Sequence, residues 1–210
     1  MNIVTLIISC ILSYLIGSIP TAYLLGRWLK GIDIREHGSG NVGATNAFRV
    51  LGKGPGIAVL LIDVIKGIIS TTLIANMWGI NDTFILVILG LITVAGHNWT
   101  IFLNFHGGKG IATTLGVLIG LTIQLSGLRP VLLVVVGVWV ILFLVFGYVS
   151  LASLFAAVAL PISMVMVRAP LGMIIMSIIL CLFIVYRHLS NIKRLLQGKE
   201  NRVRFSFFKK

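Results

Sequence analysis

Long apolar runs separated by short polar stretches make up most of the chain. A membrane-spanning helix needs about 20 apolar residues, with a range of about 17–25. Runs of roughly this length lie at 3–25, 55–76, 84–102, 111–125, 130–147, 150–167 and 171–187. Backbone groups in a bilayer must be hydrogen-bonded internally, and no alternating strand pattern is present, so the runs predict helices. We expect an all-α integral membrane protein with about seven transmembrane helices.

Composition supports the same class. The 210 residues are 58% hydrophobic and only 10% charged, which is typical of an integral membrane protein. We expect one membrane-embedded domain over residues 1–210, with a basic tail from about residue 188. The first run is longer than the apolar part of a signal peptide and is expected to be retained. Cys10 and Cys181 lie inside apolar runs without metal-ligand spacing, so no disulfide framework, metal or cofactor is expected.

The placement of the basic residues predicts the orientation. The net charge is +12, but the cations stand beside the apolar runs, which argues against a nucleic-acid partner. One side of the seven-span arrangement collects Arg27, Lys30, Arg35, Arg49, Lys53, Lys109 and the tail from Arg187. The other side has only Arg129 and Arg168. By the positive-inside rule the N-terminus is expected outside and the C-terminus in the cytoplasm.

The first polar segment, residues 38–49, is rich in glycine, small polar side chains and one arginine. It matches the dinucleotide pattern GxGxxG, but it follows an apolar run and not a strand, so that interpretation fails. We expect Asn41 to cap a short helix that ends near Leu51, with free amides beside Ser39 that suit a phosphate. Thr45, Asn46 and Arg49 are expected on one helical face. A plain connector with a topology-setting arginine is the alternative.

The second polar segment joins the third and fourth apolar runs. His97 ends the third run, and Gly107, Gly108, Lys109 and Gly110 precede the fourth. These glycines resemble a shortened phosphate loop, although the Ser or Thr that follows the lysine of a Walker motif is missing. They allow close backbone approach to an anion. The alternatives are a tight turn and, for His97 and His106, hydrogen-bonded interfacial anchors.

A third polar segment, residues 187–200, follows the last apolar run, and a pair of charged residues lies inside the second run. His188 and Asn191 are three apart on a helix that continues from the last run, and Glu200 is expected to pair with a neighbouring cation. A basic juxtamembrane helix on anionic lipid is the alternative. Asp63 and Lys66 lie inside the second run, at a spacing that permits an intrahelical ion pair. Charges within a membrane are functional candidates, although a bracing role is favoured for this pair.

Together these segments resemble the three motifs of the bacterial acyl-phosphate:glycerol-3-phosphate acyltransferase family, PlsY. The resemblance implies an enzyme of the bacterial cytoplasmic (inner) membrane with its active site facing the cytoplasm. It implies transfer of a fatty acyl group from acyl phosphate to the 1-hydroxyl of glycerol 3-phosphate. The products are lysophosphatidic acid and phosphate, in the first step of phospholipid synthesis. The implied partners are these two substrates, bilayer lipids and the enzyme that makes acyl phosphate.

The resemblance also implies roles for individual residues. The catalytic set is Ser39, Arg49, Lys109, His188 and Asn191. The substrate- and phosphate-binding set is Gly38, Gly40, Asn41, Gly43, Thr45, Asn46, Gly107, Gly108 and Gly110. The supporting set is Asp63, Lys66, His97 and Glu200. The chain departs from the family at His106, where a lysine is expected, and at Trp99 and Thr100.

The mechanism must use few protein bases. Glycerolipid acyltransferases of the soluble type use a His with an Asp five residues later, and here residues 42, 102, 111 and 193 are Val, Phe, Ile and Lys. An acyl phosphate is already activated, so Arg49, Lys109 and backbone amides could act mainly by positioning and charge stabilisation. The proton acceptor is either a substrate phosphate oxygen or His188. A small organic-anion transporter and a non-enzymatic anionic-lipid-binding protein are the competing functions.

Overall fold

The computed structural model describes residues 2–203, and its regular elements within that range are all helical. The last part of the predicted basic tail, residues 204–210, lies outside the described residues. Residue contacts divide the chain into two compact units, one over residues 1–126 and one that begins at Gly127. The expectation of a single domain over residues 1–210 stays a prediction.

The first unit contains seven α-helices and carries the first two polar segments. The helices are α1 (Ile3–Ser18), α2 (Thr21–Lys30), α3 (Ala44–Val50), α4 (Lys53–Ile69), α5 (Ala75–Met77), α6 (Thr83–Asn98) and α7 (Ile111–Gln124). A π-helical segment, Ser70–Ile74, continues α4 into α5. Short 3-10 turns at Ile34–Glu36 and Ile101–Leu103 lie in the polar segments.

The first apolar run is broken, so the expectation of one continuous helix over residues 3–25 is wrong. Helix α1 ends at Ser18, α2 begins at Thr21, and the two axes are bent by 41°. Pro20 stands between them, and a proline has no N–H to donate to the preceding turn. The break leaves the carbonyl of Ile19 without its usual helical partner.

Close helix pairs hold the first unit together. Helix α4 packs along α7, and α1 packs along α6. A Cβ atom built on Gly67 of α4 would meet the backbone of Thr113, and one on Gly116 of α7 would meet the backbone carbonyl of Val64. Glycine lets two helix backbones approach closely, which is how helices associate where lipid removes the hydrophobic driving force.

Within its described residues, 127–203, the second unit contains four α-helices and the third polar segment. A 3-10 turn, Ser126–Leu128, leads into α8 (Arg129–Phe146), α9 (Val149–Met166), α10 (Leu171–Arg187) and α11 (Leu189–Leu196). Helix α9 contacts α8, α10 and α11. The indole Nε1 of Trp139 donates a hydrogen bond of 3.1 Å to Oγ of Ser153, which links α8 to α9.

The number of membrane spans stays a prediction. By length and composition, four helical segments of the described chain could cross a membrane, or up to six if each of two bent helix pairs is one span. Helix α7 is apolar but shorter. The bent pairs are α1 with α2 and α10 with α11, at 41° and 60°.

Candidate active site

A buried carboxylate organises the start of the first polar segment. Asp33 is only 6% exposed and accepts hydrogen bonds from the Arg35 backbone N–H at 3.0 Å and from Nη2 of Arg35 at 2.7 Å. Nη2 of Arg27 lies 3.3 Å from the same carboxylate. The hydrogen bonds from Arg35 are the main reason why the pKa of Asp33 is lowered to about 2. The carboxylate therefore stays charged and fixes the turn that precedes Gly38.

The buried side chain of Asn46 stabilises the first polar segment through hydrogen bonds to its backbone. Its side chain is 1% exposed, and its Oδ1 accepts a hydrogen bond of 2.8 Å from the backbone N–H of Ser39. Its Nδ2 donates to the carbonyls of Ile34 at 3.2 Å and His37 at 3.0 Å. Both amide protons are used within the loop, so Asn46 shapes the segment, and its contact with substrate stays a prediction.

Helix α3 differs from the expectation at its N-terminus. The predicted cap, Asn41, is wrong: the N-cap residue is Gly43, whose carbonyl accepts from the N–H groups of Asn46 and Ala47 at 3.1 Å each. The helix has seven residues, which is short for a phosphate site at its N-terminus. Thr45 and Arg49 lie four residues apart on α3 and are both exposed, whereas Asn46 is buried.

The glycines before α3 create the shape of the loop. Gly38 and Gly40 have positive φ angles of 64° and 72°, which side chains other than glycine rarely adopt. A Cβ atom on Gly38 would also collide with Oδ1 of Asn46. Ser39 lies between them and is exposed. The loop therefore presents Ser39, Thr45 and Arg49 outward on a buried polar base.

The second polar segment packs against the C-terminus of α6. The N–H of Gly107 donates to the carbonyl of Asn98 at 3.1 Å, and the N–H of Gly108 donates to the carbonyl of His97 at 2.9 Å. Cβ atoms on these two glycines would collide with His97. Their amides therefore bond to carbonyls at the end of a helix, and a phosphate role for these two glycines stays a prediction.

Lys109 lies at the start of the next helix. Gly110 is the N-cap residue of α7 with a φ of 77°, and its carbonyl accepts from the N–H of Thr114 at 2.7 Å. The 14-residue helix therefore places its positive N-terminal end directly after Lys109. His106 is exposed, and its Nδ1 donates to the carbonyl of Asn104 at 2.6 Å, so it forms a local turn contact.

A fully buried ion pair lies at the break between α1 and α2. Asp63 and Lys66 are 2% and 3% exposed, and Nζ of Lys66 is 2.6 Å from Oδ1 of Asp63. The same Nζ donates to the carbonyl of Ile19 at 2.5 Å and to the hydroxyl of Thr21 at 2.7 Å. The Thr21 hydroxyl donates in turn to Asp63 at 3.1 Å. At the helix break the carbonyl of Ile19 thus accepts from Nζ of Lys66 as well as from the backbone N–H of Thr21 at 3.0 Å.

His97 lies between this ion pair and the glycine-rich segment. Its Nδ1 is 3.9 Å from Oδ1 of Asp63, and its side chain is 8% exposed. A Cβ atom on Gly108 would collide with the other ring nitrogen, Nε2. The imidazole therefore fills the space between the buried carboxylate and the backbone that precedes Lys109.

The third polar segment is held together within the second unit by a tail carboxylate. Asn191 is 5% exposed and donates from Nδ2 to Oε1 of Glu200 at 2.7 Å, and Ser150 donates to the same oxygen at 3.0 Å. Arg194 forms an ion pair of 2.7 Å with Glu200. Burial raises the pKa of Glu200, but the hydrogen bonds from Arg194, Asn191 and Ser150 outweigh it and place the pKa below its ordinary value.

His188 lies at the junction between α10 and α11. It is 3% exposed, and its Nδ1 is 2.8 Å from the carbonyl of Ile184. A carbonyl can only accept, so Nδ1 carries the proton and, in the neutral ring, Nε2 is the basic nitrogen. This tautomer can accept a proton from a substrate hydroxyl.

Several residues that build the site carry little signal in the sequence. Thr21 and Ile19 belong to the ion-pair cluster, and Pro20 inside an apolar run was the signal that could have revealed the break. The sequence position of Lys30 indicates only topology, yet its Nζ donates at 2.7 Å to the carbonyl of Val50, the last residue of α3. Asp33 had no motif that pointed to it.

Comparison with known proteins identifies the class to which this geometry belongs. A sequence model of the family described as Glycerol-3-phosphate acyltransferase matches residues 7–198. The glycerol-3-phosphate acyltransferase of Desulforudis audaxviator (strain MP104C) is 44% identical over 199 residues, which cover 94% of each chain.

Two solved structures show the same fold. The crystal structure of PlsY (YgiH), an integral membrane glycerol 3-phosphate acyltransferase, in its glycerol 3-phosphate form superposes with a TM-score of 0.85 at 39% identity, over 95% of this chain and 96% of that one. Its lysophosphatidic acid form gives 0.82 at 38% identity, over 95% of each chain. These matches confirm the resemblance read from the sequence and favour an enzyme over a transporter. The chain belongs to the glycerol-3-phosphate acyltransferase family, PlsY, of all-helical integral membrane enzymes.

Proposed function

We propose that this protein transfers a fatty acyl group from acyl phosphate to the 1-hydroxyl of glycerol 3-phosphate and releases lysophosphatidic acid and inorganic phosphate. The observation that carries the proposal is the construction of the first polar segment. Ser39, Thr45 and Arg49 are exposed, while Asn46 and Asp33 hold the loop from its buried side. Such a surface offers a hydroxyl pair and a guanidinium that can bind phosphate in a bidentate manner.

The phosphate groups of the substrates need fixed cations and dipoles. Arg49 supplies the fork geometry, and Lys109 supplies a point charge that is followed by the N-terminal end of α7. His188 and Asn191 are proposed as contacts to substrate oxygens. Among these residues, Asn191 is held in place by Glu200, so Glu200 acts by positioning.

The donor is proposed to be an acyl phosphate because the family resemblance implies it and because this mixed anhydride is already activated for acyl transfer. The glycerol hydroxyl oxygen forms a bond to the acyl carbon, and the bond between that carbon and the phosphate oxygen breaks. The leaving phosphate takes the bonding electrons, and one of its oxygens accepts the hydroxyl proton. Arg49 and Lys109 stabilise the charge that develops on the phosphate during this step. His188 Nε2 is the competing acceptor.

The same proposal includes the cellular setting. The protein is placed in the bacterial cytoplasmic membrane as a seven-span protein, with its N-terminus outside, its C-terminus inside and its active site facing the cytoplasm. The distribution of Arg49, Lys53 and Lys109 against Arg129 and Arg168 supports this orientation. Acyl phosphate is a reactive anhydride, so functional coupling to the enzyme that makes it is part of the proposal.

The experiment that tests the donor uses purified protein in lipid vesicles with labelled glycerol 3-phosphate. Acyl phosphate, acyl-CoA and acyl carrier protein are supplied separately at equal acyl concentration. Labelled lysophosphatidic acid is expected with acyl phosphate alone. Product from acyl-CoA or acyl carrier protein without acyl phosphate, or no product from folded protein with any donor, contradicts the proposal.

A further inference from the structure

We propose that Thr21, Asp63 and Lys66, here named the helix-break cluster, position both substrate-binding segments of the first unit. The inference rests on the proposed function of Arg49 and Lys109, and it gives the buried ion pair a task in substrate binding. Its three side chains are buried and bind protein groups. It acts through α2 on the loop that carries Arg49 and through His97 on the segment that carries Lys109.

Lys66 is saturated by protein partners. An ammonium group has three donors, and Nζ of Lys66 uses them on the Ile19 carbonyl, the Thr21 hydroxyl and the Asp63 carboxylate. At 3% exposure it can hold its charge only with such partners. A lysine that is occupied in this way is a positioning residue and not a ligand for phosphate.

The first connection runs from the helix break to Arg49. Lys66 binds the carbonyl of Ile19 at the point where the chain turns from α1 into α2. At the other end of α2, Lys30 donates at 2.7 Å to the carbonyl of Val50. Val50 is the last residue of α3 and the neighbour of Arg49. Lys30 thus links the far end of α2 to the end of α3, next to Arg49, and α3 also packs against α4, the helix that carries Asp63 and Lys66.

The second connection runs from Asp63 to Lys109. Oδ1 of Asp63, which Lys66 and Thr21 bind, lies 3.9 Å from Nδ1 of His97. The imidazole of His97 lies against Gly108, and its backbone carbonyl accepts from the Gly108 N–H at 2.9 Å. Lys109 is the next residue. A shift of Asp63 would therefore move the imidazole of His97. Because this imidazole packs closely against Gly108, the backbone of Gly108 would have to move with it.

The shared origin of the two connections makes the inference testable. A change in the cluster should disturb both segments at once, even when the rest of the fold is intact. A purely structural ion pair would lower the folded fraction and leave the kinetic constants of the folded molecules unchanged. A positioning cluster raises the KM for glycerol 3-phosphate in molecules that remain folded.

The test uses Thr21→Val, which removes the hydroxyl that bridges the two charges and retains the side-chain shape. Thr21→Ser serves as the rescue variant. Thr122→Val is the matched control, because Thr122 is 6% exposed like Thr21 but donates only to the Ile119 carbonyl of its own helix. Steady-state kinetics are measured in vesicles, and amide hydrogen exchange is measured on the same samples.

The expected result is a KM for glycerol 3-phosphate raised about fivefold or more in Thr21→Val, as the loss of one buried hydrogen bond predicts. Hydrogen exchange should rise in both residues 31–51 and residues 104–110. Thr21→Ser should restore both values, and Thr122→Val should change neither. Unchanged kinetics and exchange in folded Thr21→Val protein overturn the inference, as does a change confined to one segment.

The double variant Asp63→Asn with Lys66→Met gives an independent check without an unpaired buried charge. It should fold but show faster exchange in both segments. The exchange measurement does not depend on turnover, so it tests the positioning role even if the wild-type protein transfers no acyl group from acyl phosphate. Wild-type exchange in the folded double variant contradicts the inference.

Discussion

Asn191 donates a hydrogen bond of 2.7 Å from its side-chain Nδ2 to Oε1 of Glu200. A residue from the third polar segment is thus held by a carboxylate nine positions later in the chain. Ser150 and Arg194 bind the same carboxylate, which ties α9 and α11 to the tail. The orientation of Asn191 therefore depends on the charge of Glu200.

The first prediction concerns Glu200→Gln and pH. The stabilisation by Glu200 is present above the ordinary pKa of 4.5 and is lost as the pH falls through the lowered pKa of the folded protein. At pH 7 the variant should lose about 1–3 kcal/mol of unfolding free energy, since hydrogen bonds to a charged group are broken. Thermal unfolding of both proteins in detergent, at pH 7 and at a series of lower pH values, measures the difference in unfolding free energy between wild type and variant. This difference should shrink as the wild-type carboxylate becomes protonated.

Glu36→Gln is the matched control, because Glu36 is an exposed carboxylate of the first unit. It should leave the unfolding free energy within about 0.5 kcal/mol of the wild type. Equal stability of Glu200→Gln and wild-type protein at pH 7 would show that the carboxylate does not hold the tail.

The second prediction concerns the packing of the glycine-rich segment on α6. Gly108→Ala places a methyl group on the imidazole of His97 and should lower kcat/KM by about tenfold or more, because a small displacement near a substrate site is costly. Gly54→Ala is the control, since a Cβ atom there meets nothing within 4 Å. The control should be as active as the wild type and slightly more stable. Wild-type kinetics in folded Gly108→Ala would refute the tight packing.

The third prediction concerns the guanidinium of Arg49. Arg49→Ala should raise the KM for glycerol 3-phosphate or lower kcat, with a total loss of about 10- to 100-fold, as removal of a charge-assisted hydrogen bond predicts. Arg49→Lys should recover only part of the activity, since an ammonium lacks the bidentate geometry. Lys53→Ala removes an exposed cation from the start of α4 and serves as the control for net charge. Equal losses of activity in Arg49→Ala and Lys53→Ala would contradict this prediction, because they would show that Arg49 contributes through its charge and not through a specific contact with substrate.

The fourth prediction concerns the proton acceptor. His188→Asn keeps a donor for the Ile184 carbonyl and removes the position of Nε2. If substrate phosphate accepts the proton, turnover should fall by less than about tenfold, whereas loss of a general base costs about 10²- to 10⁴-fold. The pH profile of kcat in the variant should match that of the wild type. A larger loss together with a flattened pH profile would assign the base to His188.

The residues that could be predicted from the sequence are those whose partners are near in the chain. The ion pair between Asp63 and Lys66 follows from their spacing within one helix, and the approximate end of α3 follows from Gly52. The family could also be recognised from the sequence, because the segments that resemble its three motifs occur in the same order along the chain. Local sequence carries this information directly.

The remaining features depend on contacts between distant segments. Asn41 has the better capping propensity, but the side chain of Asn46 reaches back to Ser39 and determines the loop, so α3 begins after Gly43. In the sequence, Gly107 and Gly108 resemble an anion-binding loop. In the structure their amides donate to carbonyls at the end of α6, a contact that the local sequence does not indicate. Pro20 is the local signal that indicates the break between α1 and α2.

The most direct test of the proposed reaction is the stoichiometry of the two products. Purified protein in vesicles receives acyl phosphate as the only donor and labelled glycerol 3-phosphate as the acceptor, and lysophosphatidic acid and inorganic phosphate are measured over the same time course. Direct transfer predicts equal amounts of both products and no enzyme-dependent phosphate release without glycerol 3-phosphate. Enzyme-dependent phosphate release that continues unchanged without the acceptor, or phosphate without labelled lysophosphatidic acid, would contradict the account.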